Sequence, residues 1–373
     1  MSTAIGDVIA DRYKIESEIG YGGMQRVWQA RDLSLERNIA IKSPFSPGAI
    51  KRFASSARLS AKVRHPNVAA ALDYIDQGGK EYYVEELIDG INLQDCMDAH
   101  FPRLDADTCA RVMHHLAKGV ASSHRVNVIH RDLKPSNIMV SRDLSFSNIK
   151  ITDFGIAKLA QSQIDQDIER LNNNHTEGLT STMLGAIPFL APEVLKKGNQ
   201  GAPQINLPSD VWSLGAIGYW LLAGEHPFGK GLEAAVNILT EQRKPWAPSI
   251  TASRITSHLA QKLQKIIEGC LVSDPTVRPT AESLASNLGA LGYLSGVRES
   301  AVITSAGKYG GVWWGRSETG ESVMTHNEEV IAGGILKVGS RINYISCPGS
   351  PSPRAVAVIK MKDEKVKSEL ASG

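Results

Sequence analysis

The 373-residue chain contains no run of about 18 apolar residues, so no stretch of it is suited to crossing a bilayer as a helix. Cysteine is scarce. Cys96, Cys109, Cys270 and Cys347 stand far apart with no paired spacing, which excludes a zinc-ligand pattern and the disulfide framework of a small secreted domain. A charge of one sign is also missing: lysine plus arginine number 41 against 39 for aspartate plus glutamate. No global field therefore attracts nucleic acid or an anionic membrane, and any contact with a polyanion must be local. The amino-terminal stretch MSTAIGDVIADRYKIE has neither the basic start nor the apolar centre of a signal peptide. These absences predict a soluble chain in reducing, cytoplasmic surroundings with no membrane partner, long enough for two or three folding units.

What is present is concentrated in His130-Arg131-Asp132-Leu133-Lys134-Pro135-Ser136-Asn137, set between apolar Val126 to Ile129 and apolar Ile138-Met139-Val140. An acid, a cation and an amide stand at 132, 134 and 137 on a turn held by Pro135. Phosphoryl transfer needs that set: an acid for the proton of an attacking hydroxyl, a cation against charge developing on the moving phosphate, and an amide oxygen for a metal. A plain polar loop between two strands would suit any one of these residues but not the octet. Upstream, YKIESEIG, YGGMQ and RVWQA read as strand, glycine-rich turn and strand. Gly20, Gly22 and Gly23 would let backbone N–H groups close over phosphates, although glycine-rich hairpins are also ordinary turns. On the following Ile39-Ala40-Ile41-Lys42, alternation puts the isoleucines on one face and Ala40 with Lys42 on the other, within reach of those phosphates.

In these motifs the chain resembles a eukaryotic-type Ser/Thr protein kinase of the bacterial kind, over roughly residues 10–292. Asp153-Phe154-Gly155, Ala191-Pro192-Glu193, Asp210-Val211-Trp212-Ser213-Leu214-Gly215 and Arg278 within DPTVRP follow in the family's order. The resemblance implies an α+β, two-lobed fold with a strand-rich small lobe (10–88) and a helical large lobe (89–292), ATP and Mg2+ between them, and a protein substrate. It gives Lys42 to the α/β-phosphates, Asp132 to the acceptor hydroxyl, Lys134 to the γ-phosphate, and Asn137 and Asp153 to magnesium. Val27 and Ala40 would line the nucleotide cleft, the backbone of Glu86 and Ile88 would meet the adenine, and Asp95 is a candidate ribose contact. Glu193 and Arg278 would form a buried structural ion pair.

Three departures matter. Gln25 replaces the third glycine of G-x-G-x-x-G, which predicts a looser phosphate cover. Between Glu36 and Asp73 there is no Asp or Glu, and Ser56 stands where the family's partner for Lys42 belongs. Glu85, just before the hinge, is the nearest replacement: a carboxylate at that depth needs a cation. The competing expectation is a Glu85 that merely fills a pocket no longer suited to ATP; for the whole chain, the alternative to a kinase is a nucleotide-binding pseudokinase scaffold whose C-terminal barrel makes the useful contact. Third, Ala186 replaces a threonine whose hydroxyl would bridge Asp132 and Lys134, so that pair is expected to loosen.

Between Gly155 and Gly185 the sequence is polar and reads as a mobile loop. Thr180, Ser181 and Thr182 are candidate phosphorylation sites, with Arg131 and Lys158 to receive the phosphate; His175 is expected to be a solvated loop residue. Helices are expected over Leu104 to His124, Val211 to Ala223, Arg254 to Gly269 and Ala281 to Leu291.

After Gly292 the pattern turns to short alternating runs, AVIT, GGVWWG, ESVMTH, ILKVGSRINYI and RAVAVIKM, which predict a small all-β barrel over 297–362 and a frayed tail over 363–373. Their order resembles a cold-shock domain, an oligonucleotide-binding fold. Lys308, Tyr309, Trp313 and His326 are then the candidate contacts to RNA or single-stranded DNA. One of Trp313 and Trp314 must face inward and serve the core, and Gly311 stands where the motif has an aromatic. A barrel that binds protein is the alternative.

Overall fold

Strand alternation accounts for the small lobe. Ile15, Trp28, Ala30, Ile39, Ile41, Tyr82 and Val84 fall on one side of their strands and form a common buried cluster, while the polar alternates face away. The structure, a computed structural model, describes residues 3–21, 25–44, 54, 57–154, 181–196, 206–251, 257–293, 297–308 and 310–363. Its first sheet joins β1 (Val8–Ile9), β2 (Tyr13–Tyr21), β3 (Gln25–Asp32), β4 (Arg37–Pro44), β5 (Ala71–Gln77) and β6 (Lys80–Glu86) in the order β1-β2-β3-β4-β6-β5. The sequence reading began this lobe at residue 10 and placed neither β1 nor β5.

The large lobe begins with β7 (Gly90–Asn92) and helix α1 (Leu93–His100), followed by α2 (Ala106–Arg125). The Asp105 side chain caps α2 by accepting from the N–H groups of Asp107 and Thr108. A hairpin, β8 (Ile138–Ser141) with β9 (Ile149–Ile151), comes next, then short helices α3 (Ser181–Ala186) and α4 (Pro192–Leu195). Helix α5 (Leu207–Ala223) is buried almost all round and ends at Gly224, whose φ of 80° and closeness to the Pro102 carbonyl exclude any side chain. Helices α6 (Gly231–Leu239), α7 (Ser257–Cys270) and α8 (Ala281–Gly289) complete the lobe. The expected start of α5 at Val211 is four residues late, because Pro208 suits the first helical turn and Asn206 with Ser209 closes a capping box ahead of it. No described helix is long and apolar enough to cross a membrane.

The carboxy-terminal strands β10 (Arg298–Ala306), β11 (Val312–Ser317), β12 (Ser322–His326), β14 (Arg341–Cys347) and β15 (Arg354–Lys360) close into a five-stranded barrel. The ring runs β12-β11-β10-β14-β15 and returns through the parallel pair Met324 to Arg354. A sixth strand, β13 (Val330–Ala332), lies along β15 and was not foreseen. The run ILKVGSRINYI is not one strand. Gly334 and Gly339 take φ of 80° and 87°, which breaks extension, so the strand itself begins only at Arg341, while Leu336 drops into the barrel core.

The barrel shares its core with the large lobe: Ala332, Ile359 and Met361 belong to the same apolar cluster as Leu116, Phe101 and Phe146. Arg298, with its side chain 1% exposed, crosses this seam to Asp105 at 2.6 Å. It also donates to Thr108 Oγ1, to Asn343 and to the Ala357 carbonyl. Lys362 Nζ donates to the carbonyls of Met97 and Asp98 at the end of α1.

Candidate active site

The antiparallel register of β4 and β6 sets Lys42 against Tyr83 and Ala40 against Glu85, so Glu85 is the same-face diagonal neighbour of Lys42. Lys42 Nζ forms an ion pair with Glu85 Oε1 and lies 2.9 Å from Asp153 Oδ1, with both Lys42 and Glu85 almost fully buried. Burial alone would lower the ammonium pKa, but Asp153 and Glu85 outweigh it and hold it above the ordinary value. Burial raises the Glu85 carboxyl against the opposing pull of Lys42. It pushes Asp153 upward too, yet there Lys42 and the Gln25 amide prevail and hold the pKa below its usual value. Lys42 thus has its anions without any from the helical stretch around residues 57–60; Ser56 lies outside the described residues.

Asp210 holds the loop that carries the octet. Its carboxylate accepts from the backbone N–H of His130 at 2.8 Å and of Arg131 at 3.0 Å, and from His124 Nε2 at 2.9 Å. These bonds stabilise Arg131 at φ 72°, a region costly for a residue with a side chain. A 3₁₀ turn over Pro135–Asn137 then folds Asn137 back: its Nδ2 donates to the Asp132 carbonyl at 2.8 Å and to Asp132 Oδ2 at 3.1 Å. Lys134 Nζ sits 2.8 Å from the same Oδ2, so Ala186, which offers no hydroxyl, leaves the pair in direct contact. The signal for Asp210 was a buried carboxylate heading an otherwise apolar helix, and the sequence reading gave it no role.

Asn137 and Asp153 flank the β8–β9 hairpin and come together because Ile138 pairs with Ile151. The Thr152 N–H donates to the Asn137 carbonyl at 2.9 Å. With its Nδ2 committed to Asp132, Asn137 has its amide oxygen left, and Asp153 retains an oxygen not bonded to Lys42. Two hard oxygen donors suit a divalent cation such as Mg2+.

These groups border a cleft of about 410 Å³ lined by Gly20, Val27, Ala40, Lys42, Glu85, Glu86, Ile88, Asp95, Met139 and Asp153. The Glu86 side chain turns outward to Lys150, leaving its backbone at the cleft. Gly22 and Gly23 lie outside the described residues. A second groove of about 410 Å³, lined by Gln94, Lys134, Leu184, Phe189, His226 and Lys230 among others, adjoins the first, and Ser136 borders both. Glu193 and Arg278 meet in a two-pronged pair at 2.7 and 2.8 Å.

The protein kinase domain profile matches residues 13–287. The chain belongs to the protein kinase domain family. It is 33% identical over 270 residues to the probable serine/threonine-protein kinase PknB of Lactococcus lactis, and 31% identical over 290 residues to the serine/threonine-protein kinase PrkC of Bacillus subtilis. It is 31% identical over 304 residues to the serine/threonine-protein kinase PknA of Mycobacterium tuberculosis. These alignments take in 70%, 76% and 77% of this chain but 39%, 41% and 63% of the respective relatives, so the chain spans about half the length of the relatives it matches. Within this kinase-family site, replacing Glu85 by glutamine keeps a hydrogen bond to Lys42 but removes the charge. A charge-assisted bond contributes about 1.5–3 kcal/mol, so nucleotide affinity should fall at least roughly tenfold. Fluorescence titration with ADP checks this, and unchanged affinity would dismiss the pair.

Thr180, Lys158, His175 and Tyr309 lie outside the described residues, as does the tail from 364 on. Ser181 and Thr182 open α3. In the barrel, Trp313 is half-buried against the core, its Nε1 donating to Asn327 Oδ1 at 2.7 Å, and of the two tryptophans it is the one turned inward. Buried Gly315 lies two residues along on the same inward face. Alternation puts Trp314 on the outer face, paired with Met324 and with His326 two positions along the same face of β12. Lys308 is exposed. Gly311 has φ 88°, and a Cβ there would stand 2.7 Å from His326 Nε2, which explains the absence of an aromatic at that position.

Proposed function

We propose that the chain is a Ser/Thr protein kinase that transfers the γ-phosphoryl group of ATP to a protein hydroxyl. The observation that carries this reading is the position of Asp132, paired with Lys134 and Asn137 on the loop that separates the nucleotide cleft from the second groove. A hydroxyl entering along the groove meets the Asp132 carboxylate, which takes its proton as the oxygen attacks phosphorus. Lys134 offsets charge on the moving group, and Lys42, steadied by Glu85, aligns the inner phosphates. Asn137 and Asp153 would hold Mg2+, which when bound supplies neutralisation of the phosphate oxygens. The departures at Ser56, Ala186 and Gln25 favour a scaffold; against the first of them, Glu85 and Asp153 both stand beside Lys42. Incubation with γ-labelled ATP, Mg2+ and a general protein substrate is expected to give label on serine or threonine. Nucleotide binding without any labelled protein would favour the scaffold.

For the barrel we infer a cold-shock-like, oligonucleotide-binding fold. The ring, in which the first strand neighbours the second and fourth and the third closes on the fifth, supports it. Its outer face, with Trp314, His326 and Arg316, suits stacking and phosphate contact with single-stranded nucleic acid. Salt-dependent binding of a labelled oligonucleotide that weakens in Trp314→Ala is expected; no binding at low salt retires the reading. The four free thiols fit a cytoplasmic setting.

A further inference from the structure

Gln25 occupies the third glycine position of the phosphate-covering hairpin, and its side chain does what no glycine can. It reaches from the start of β3 in the roof of the cleft to the floor, where Nε2 donates to Asp153 Oδ1 at 2.9 Å. Lys42 already donates to that same oxygen at 2.9 Å, so two donors crowd one end of the carboxylate expected to bind the cation. The other end of the amide is unsatisfied: Gln25 Oε1 is buried without a partner among the described residues. A buried orphan acceptor is unfavourable, so the charge-assisted bond to Asp153 must hold the side chain in place. Register fixes its origin, since Gln25 opens β3 opposite Pro44 and two residues before the Val27–Lys42 pair.

We propose that Gln25 is a latch between the start of β3 and Asp153 that competes with the divalent cation for that carboxylate. The proposal rests on the kinase reading, since it concerns the same cleft. An entering cation takes the Asp153 oxygens, the amide N–H is released, and the stranded Oε1 regains solvent. Metal–nucleotide affinity is therefore set partly by the cost of opening this contact, whereas nucleotide without metal need not disturb it.

The test is isothermal titration of the full chain with ADP, with and without Mn2+, comparing wild type with Gln25→Met and Gln25→Gly. Methionine keeps the length of the side chain but cannot donate; glycine restores the family residue and also frees the backbone. Both variants are expected to bind ADP with Mn2+ about tenfold more tightly, in keeping with loss of one charge-assisted hydrogen bond, with metal-free ADP affinity changed less than about twofold. Gln25→Met with unchanged Mn2+-dependent affinity overturns the latch and leaves the kinase reading standing. Weaker affinity also overturns it, and would make the amide a ligand of the cation. Absence of ADP binding in wild type and both variants overturns the latch and the kinase reading together, whereas binding gained only in the variants supports the latch.

Discussion

Asp132→Asn is expected to abolish measurable phosphate transfer while leaving ADP affinity within about twofold of wild type. Positioned general acid–base groups contribute about 10²–10⁴-fold, and the asparagine amide cannot take a proton. The substitution is nearly isosteric, and the loop does not depend on the carboxylate for its shape. Asp210 holds the backbone of His130 and Arg131 from below, and Asn137 also bonds to the Asp132 main-chain carbonyl. Lys134 loses a charged partner, so part of the fall belongs to a cation left free to move. Rates of γ-label transfer measured beside ADP titrations separate the two effects. Equal incorporation by variant and wild type would rule out Asp132 as proton acceptor.

Arg298→Ala should destabilise the kinase lobe as well as the barrel. The Arg298 guanidinium is fully buried, burial drawing its pKa below the ordinary value with Asp105 pulling the other way, and its bonds link two barrel strands to the cap of α2. Removing it strands the Asp105 carboxylate in the interior. Breaking one side of a buried pair costs about 3–5 kcal/mol, a large share of the roughly 5–15 kcal/mol by which domains are stable. Urea unfolding monitored by tryptophan fluorescence should show a lower midpoint, and ADP should be lost in parallel. Arg298→Met with Asp105→Asn should recover much of the deficit, since no unpaired charge then remains. A barrel that unfolds alone, with ADP binding intact, would contradict the shared core.

Legibility in the sequence followed the range of the interaction. The octet from His130 to Asn137 declared its chemistry because acid, cation and amide lie within eight consecutive residues, and strand alternation put Lys42 on the cleft side for the same local reason. Glu85 was found by exclusion: no carboxylate lies between Glu36 and Asp73, and the hinge supplied the nearest candidate. Asp210, Gln25 and Arg298 escaped because their partners lie 79, 128 and 193 residues away, beyond any periodicity. In the barrel the runs marked most strands, but which tryptophan faces inward depends on register across β11 and β12.

The seam at Arg298 also closes a surface. The end of α1, the start of α2 and the connection between β8 and β9 are covered from within the chain: Asn343 Nδ2 donates to the Leu144 carbonyl, and Lys362 holds the last carbonyls of α1. An occupant tethered in the same polypeptide acts at an effective concentration in the millimolar range or above. A regulator or substrate arriving from solution competes against that figure, so this face of the large lobe is withdrawn from docking.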